Sequence, residues 1–260
     1  MTPSLVFDLE TVPDIAGLRA AWSIDAEDDA EVARIAFEAR RAKTGSDFLP
    51  HHLHRIVAIG CVFRDAEGVK VRCLGSPQDG EAKLLSDFFR TIERHTPRLV
   101  SWNGGGFDLP VLHYRSMVHG VRAPRYWENG DRDRDFRYNN YLNRYHSRHT
   151  DLMDVLASFS GRANAPLDEL ARLCGFPGKL GMDGSKVWDA WQQGEIAQIR
   201  DYCETDVANT WLLFCRQQLI AGMLTADEYG GELKLFRERI QDLPGEHWRR
   251  YLDAWPETQS

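Results

Sequence analysis

The chain has 260 residues, 43% apolar and 27% charged, enough to bury the core of one large domain or two small ones. A formal charge of −7 argues against tight, non-specific binding of a polyanion, although a carboxylate cluster that takes up divalent metal would account for part of it. No apolar run approaches the roughly 20 residues that span a bilayer, and no signal-peptide pattern precedes the first strand, so the expectation is a cytoplasmic protein with no membrane partner.

In chain order, Leu5-Val6-Phe7 reads as a short strand running into Asp8. Residues 25–43 read as a charged, exposed helix inserted after it. Arg55 to Phe63 is a continuous apolar run suited to a central strand, and Val69 to Leu74 follows as the second arm of a hairpin. Glu81 to His95 places Leu84, Leu85, Phe88, Phe89 and Ile92 at helical spacing. Pro97 ends that helix, and Arg98 to Ser101 reads as the next strand.

A Gly-rich turn leads into a helix from about Phe107 to His119. Residues 122–149 have no clear period and exceed the usual connection, which makes them either functional or an elaborated hairpin. Past Asp151 the chain turns helical, punctuated by Pro166 and Gly175. Glu195 to about Gln218 is the strongest helix, with Ile196, Ile199, Cys203, Val207, Trp211 and Phe214 on one face. From Thr225 onward one or two amphipathic helices close the domain. Strands first, then mixed elements, then helices predict an α/β fold with a mixed sheet flanked by helices.

Three separated segments carry carboxylates. In Asp8-Leu9-Glu10 the two acids are i and i+2 on a strand and project to one face. Adjacent like charges are costly unless a cation lies between them, and the bland alternative is a solvated strand end. In Asn103-Gly104-Gly105-Gly106-Phe107-Asp108 a strand runs into three glycines, which allow close approach of another backbone or a ligand. Asp108, near the first turn of the next helix, is equally suited to capping it. Tyr202 and Asp206 stand one turn apart on the long helix, beside its apolar stripe.

Taken together, D-x-E at 8 and 10, N-x-x-x-F-D at 103–108 and Y-x-x-x-D at 202–206 resemble the three motifs of the DEDD 3′→5′ exonucleases, the DnaQ-like group of the RNase H-like superfamily. The tyrosine marks the DEDDy branch, and the chain is similar to the proofreading exonuclease domain of family B DNA polymerases. The resemblance implies an RNase H-like domain over residues 1–220, with insertions near 20–50 and 122–149 and a helical tail, 221–260, packed on it. It implies hydrolysis at the 3′ end of nucleic acid, DNA favoured over RNA, as a single strand or frayed end. Asp8, Glu10, Asp108 and Asp206 would hold two divalent ions, Mg²⁺ or Mn²⁺, and Tyr202 would orient the attacking water.

In that scheme Asp8 bridges the ions, Glu10 and Asp206 serve the nucleophile side, and Asp108 serves the other. Asn103 and Phe107, with Thr11 and Lys186, would contact the substrate. An RNA-trimming exoribonuclease and a catalytically silent nucleic-acid-binding module are the alternatives, the latter expected to have lost a ligand.

The remaining features carry competing readings. The arginines and tyrosines of 122–149 suit either a single-strand channel or a solvated loop. His51, His52 and His54 read as exposed residues before a strand rather than ligands. Asp151 and Asp154 read as cap and first-turn charge, or as support for the metal site. The polar loop Gly178 to Val187 is a connector, or a source of phosphate-neutralising lysines in Lys179 and Lys186. Five cysteines without a C-x-x-C pair read as reduced structural thiols, and zinc is not expected.

Overall fold

Alternation along the first strand organises the molecule. In the computed structural model, which describes residues 2–256, β1 (Ser4–Pro13) turns Leu5, Phe7 and Leu9 to one face of a sheet and Val6, Asp8 and Glu10 to the other. β2 (His54–Asp65) lies antiparallel to β1, and β3 (Gly68–Cys73) antiparallel to β2. On the far side of β1 run β4 (Arg98–Ser101) and β5 (His149–Asp151), both parallel to it, in the order β3-β2-β1-β4-β5. Parallel neighbours need crossovers, and these carry helices. This is the RNase H-like mixed sheet expected from the sequence, and β1 extends further than its apolar run, through the two acids to Pro13.

One face of the sheet is covered by α3 (Glu81–His95) and α4 (Asp108–His119), whose Leu84, Leu85, Phe88, Phe89, Val111 and Leu112 pack on Leu5, Phe7 and Leu9. Across the other face lies α8 (Ile196–Ile220), set with Val207, Trp211 and Leu212 against Val6, Val62 and Val100. Outside α8, α9 (Ala226–Gln241) and α10 (Glu246–Ala254) bury Phe236, Ile240, Trp248 and Tyr251. The last residues of the expected tail, 257–260, lie outside the described part.

Two helices, α1 (Ile15–Trp22) and α2 (Asp29–Thr44), follow β1 and bury Leu18, Val32 and Ala36 with Leu49 and Leu53 in a small core of their own. A buried ionic knot ties this unit to the rest. Arg115 of α4 bonds Glu81 in bidentate fashion at 2.6 and 2.8 Å and also reaches Asp14, the residue that caps α1.

The 122–149 segment is neither hairpin nor open loop. Tyr126 and Tyr141 stack at 5.5 Å and, with Phe136, join the core beneath α3 and α4. Arg148 and Arg125 lie over Phe136 at 3.8 and 4.4 Å. Part of the Arg–Tyr interleaving is therefore internal packing, while Tyr138 and Tyr145 remain exposed. Three shorter helices, α5 (Leu152–Leu156), α6 (Leu167–Leu173) and α7 (Val187–Gln192), lead to α8. No helix among the described residues is long and apolar enough to cross a membrane.

Candidate active site

The carboxylates of β1 face α8 because the strand period leaves them no other side. α8 comes unusually close there. A Cβ on Gly60 of β2 would lie 2.8 Å from both the carbonyl oxygen and Sγ of Cys203, so glycine is what lets the helix down onto the sheet. The Gly60 N–H donates to Cys203 Sγ at 3.1 Å. Tyr202 and Asp206 flank this contact and are lowered with it onto Asp8 and Glu10. A break in register between Glu10 and Thr11 then re-aims the strand beyond the acids.

Asp108 arrives from α4. It opens the helix but does not cap it; its Oδ1 instead accepts the N–H of Leu9, the residue between the two acids, at 2.9 Å. The glycines before it serve the protein's own side chains. A Cβ on Gly104 would meet Ser101 Oγ at 2.2 Å, and one on Gly106 would meet Asn103 Oδ1 at 2.4 Å. Asp151 clamps the same turn, accepting from the N–H groups of Asn103 and Gly105 at 2.9 and 2.8 Å, and it also caps α5. Asn103 holds a left-handed backbone, φ 63°, which asparagine tolerates better than most residues.

Burial, with repulsion between neighbouring carboxylates, raises all four carboxyls of the cluster. Loss of water, and then the charges of Asp108 and Asp206, push the Asp8 carboxyl well above its usual range. Glu10 is raised by burial and by Asp8. Burial takes Asp108 up to about 7, against the pull of its backbone N–H bonds. Asp206 is raised by burial and partly restored by Lys179. Its Oδ1 is buried with no hydrogen-bond partner among the described residues. An orphaned carboxylate oxygen in a carboxylate-rich cluster fits a hard divalent ion.

Lys179 is the residue whose importance the sequence left open. Its Nζ lies 3.0 Å from Asp206 Oδ2 and donates to Tyr202 Oη at 2.6 Å. Burial alone would lower this ammonium, but Asp206, Asp8 and Glu10 hold it above its ordinary value. Only a position between a glycine and an apolar residue in a polar loop hinted at it. Lys186, the lysine expected at the substrate, is exposed, 3.7 Å from Asp183, and lines a neighbouring depression instead of the cleft.

The cleft itself has a volume of about 640 Å³, with Asp8, Glu10, Lys179, Tyr202 and Asp206 on one side and Val12, Phe37, Phe48, Phe107 and Trp188 among its apolar lining. Thr11 lines it too, its hydroxyl 2.9 Å from His54 Nδ1. His54 is not an exposed histidine. It is buried, its other nitrogen is 3.1 Å from the Leu49 carbonyl, and burial lowers its pKa to about 4. Cys203 also approaches the acids, with Sγ 4.0 Å from Asp8 Oδ2, yet burial raises its thiol well above the usual range and keeps it protonated. Among the described residues, Asp8, Glu10 and Cys203 place three potential ligand atoms within 4.8 Å of one another.

Comparison with known proteins supplies independent findings. A family model described as "Predicted 3'-5' exonuclease related to the exonuclease domain of PolB" matches residues 46–255. That stretch includes Asp108, Tyr202 and Asp206 and begins after Asp8 and Glu10. Among solved structures, the chain is similar to the family B DNA polymerase of the hyperthermophilic archaeon Pyrobaculum calidifontis, at 16% identity and a TM-score of 0.50. The likeness covers 84% of this chain but 25% of the polymerase, so it speaks to the fold of one part of a much longer protein. A comparison with curated proteins gives no match.

Proposed function

The chain belongs to the family of predicted 3′-5′ exonucleases related to the exonuclease domain of PolB, and from that premise we propose that its carboxylate cleft hydrolyses the terminal phosphodiester bond at the 3′ end of single-stranded or frayed DNA. The observation that carries this reading is the convergence of Asp8, Glu10, Asp108 and Asp206 from three distant segments, with one buried oxygen of Asp206 left without a partner.

Asp8, Glu10 and Asp206 would hold a divalent ion, and Asp108, approaching from α4, would serve a second. Mg²⁺ or Mn²⁺ bound there would supply Lewis-acid activation of water and neutralise the phosphate. Burial and then the neighbouring carboxylates push the Tyr202 phenol above its ordinary range, so it stays protonated. It is therefore a donor that positions water, not a base. Lys179 donates to the oxygen of that phenol and holds it beside Asp206 at the cleft. The same ammonium offsets negative charge until metal binds. Phe107, Thr11 and Asn103 belong to the terminal nucleotide's surroundings, and the helices after residue 220 brace α8.

The test is incubation of wild type and Asp206→Ala with 5′-labelled single-stranded DNA and RNA, in Mg²⁺, in Mn²⁺ and in chelator. A descending ladder that needs metal and is lost in the variant is the expected result, and the faster oligomer decides between DNA and RNA. Absence of cleavage of either oligomer by folded wild type in both metals would remove the enzymatic reading.

A further inference from the structure

A second cavity, of about 510 Å³, lies at the start of β1, between that end of the sheet and the later turns of α8. Ser4, which lines it, pairs with Arg98 of β4, and Asp8 stands four residues further along β1, so roughly 13 Å of strand separates the cavity from the acids. Five charged side chains line it: Arg64, Arg98, Arg148, Glu228 and Glu232. Arg64 and Glu232 satisfy each other through two bonds at 2.7 and 2.8 Å. Glu228 is committed to the capping box of α9, where it accepts the Thr225 N–H at 2.8 Å. Arg98 and Arg148 are half-buried, and neither makes an ion pair among the described residues. Arg98 Nε donates to the Ser147 carbonyl at 3.1 Å and Nη1 to Gln218 Oε1 at 3.3 Å, with Phe214 beneath its guanidinium at 5.9 Å. Arg148 Nε donates to the Asn139 carbonyl, and Asp133, which feels the Arg148 charge, is bonded to Arg125 at 2.7 Å.

We propose that Arg98 and Arg148 form a binding site for a phosphate dianion, free or as the monoester end of a nucleotide, separate from the carboxylate cleft. Two guanidiniums held partly out of water, each tethered through Nε to a backbone carbonyl and neither facing a carboxylate, are a costly arrangement that an anion relieves. Loss of water already lowers the Arg98 guanidinium from its ordinary value. The planar fork of arginine matches the oxygens of phosphate, and the Nε tethers fix where each fork sits. A phosphate monoester carries close to two negative charges at neutral pH, which two arginines balance, whereas a diester within a chain carries one. Phe214, Met223 and Leu224 give the cavity an apolar wall for whatever the phosphate is attached to. None of the cavity's residues lines the cleft, so the site stands independently of the nuclease reading.

The experiment is calorimetric titration of the full chain in chelator, so that no metal draws phosphate to the cleft, with inorganic phosphate, adenosine 5′-monophosphate and adenosine. Saturable binding of one equivalent of either phosphate compound, and none of adenosine, is expected. Arg98→Gln and Arg148→Gln should each weaken it about 10- to 100-fold, and Lys179→Ala should leave it unchanged. Tighter binding of the nucleotide assigns the apolar wall to its nucleoside, and equal binding identifies free phosphate as sufficient. Should the arginine variants not fold, the Nε resonances of Arg98 and Arg148 in wild type give the same answer, since both should shift on adding phosphate. No saturable binding, binding undiminished in both arginine variants, loss in Lys179→Ala instead, or unmoved Nε resonances overturns the site.

Discussion

At the scale of single residues, the site stores repulsion. The Asp8 carboxyl is held above its usual range first by loss of water and then by Asp108 and Asp206. Asp108 is raised from 3.8 to about 7. An acid raised in the folded state favours folding while protonated, and that contribution is lost as pH rises through the folded value. The metal-free protein is therefore expected to lose stability from this cluster between about pH 4 and pH 7. Asp8→Asn should melt above wild type in chelator at pH 7.5, with the gap closing towards pH 5, while losing activity on the order of 1000-fold or more. Thermal unfolding at the two pH values and a cleavage assay check both halves; a lower melting temperature at pH 7.5 would contradict the repulsion argument. Lys179→Ala and Tyr202→Phe should each retain some turnover, reduced about 10- to 100-fold in kcat, if their roles are the positioning ones proposed above.

Between elements, the decisive contact is the descent of α8 onto β2 at Gly60. Gly60→Ala would place a methyl 2.8 Å from the Cys203 backbone, which cannot yield as a flexible side chain would. The expected cost is about 1–3 kcal/mol, with activity reduced because Tyr202 and Asp206 ride on the displaced helix. Denaturant unfolding together with a rate measurement would show the two losses in one variant. α10 is pinned to the same helix by His247, 3.2 Å from both Asp201 and Glu204. Burial would lower this imidazole, but the two carboxylates take it up to about 9. Its contribution is full below pH 6.5 and lost as pH rises through about 9, so wild type should lose more melting temperature across that window than His247→Gln. Equal slopes would show that the clamp is not charged.

Across the whole molecule, a buried ionic knot ties Asp14, the cap of α1, to α3 and α4. Arg115→Met leaves Glu81 and Asp14 without their cation, and breaking a buried pair from one side costs about 3–5 kcal/mol. Residues 14–53 should loosen first, seen as early protease cleavage in that stretch, and the cleft should lose its Phe48 side with them.

Local chemistry alone determined much of this protein. Period-2 alternation put Asp8 and Glu10 on one face, the apolar runs marked β2, β4 and α3, and an i, i+4 spacing paired Tyr202 with Asp206. Those are short-range relations, and a linear sequence contains them in full. β5 escaped notice because three residues, His149–Asp151, are too few to display a period. The role of Lys179 was undecidable between two lysines in one loop until the fold set one against Asp206 and turned the other to solvent. Likewise, nothing local distinguishes the tyrosines of 122–149 that pack inside from those left outside, or reveals that Phe48 flanks a cleft built on β1. Those outcomes depend on which distant surfaces meet, and only the packed chain decides that.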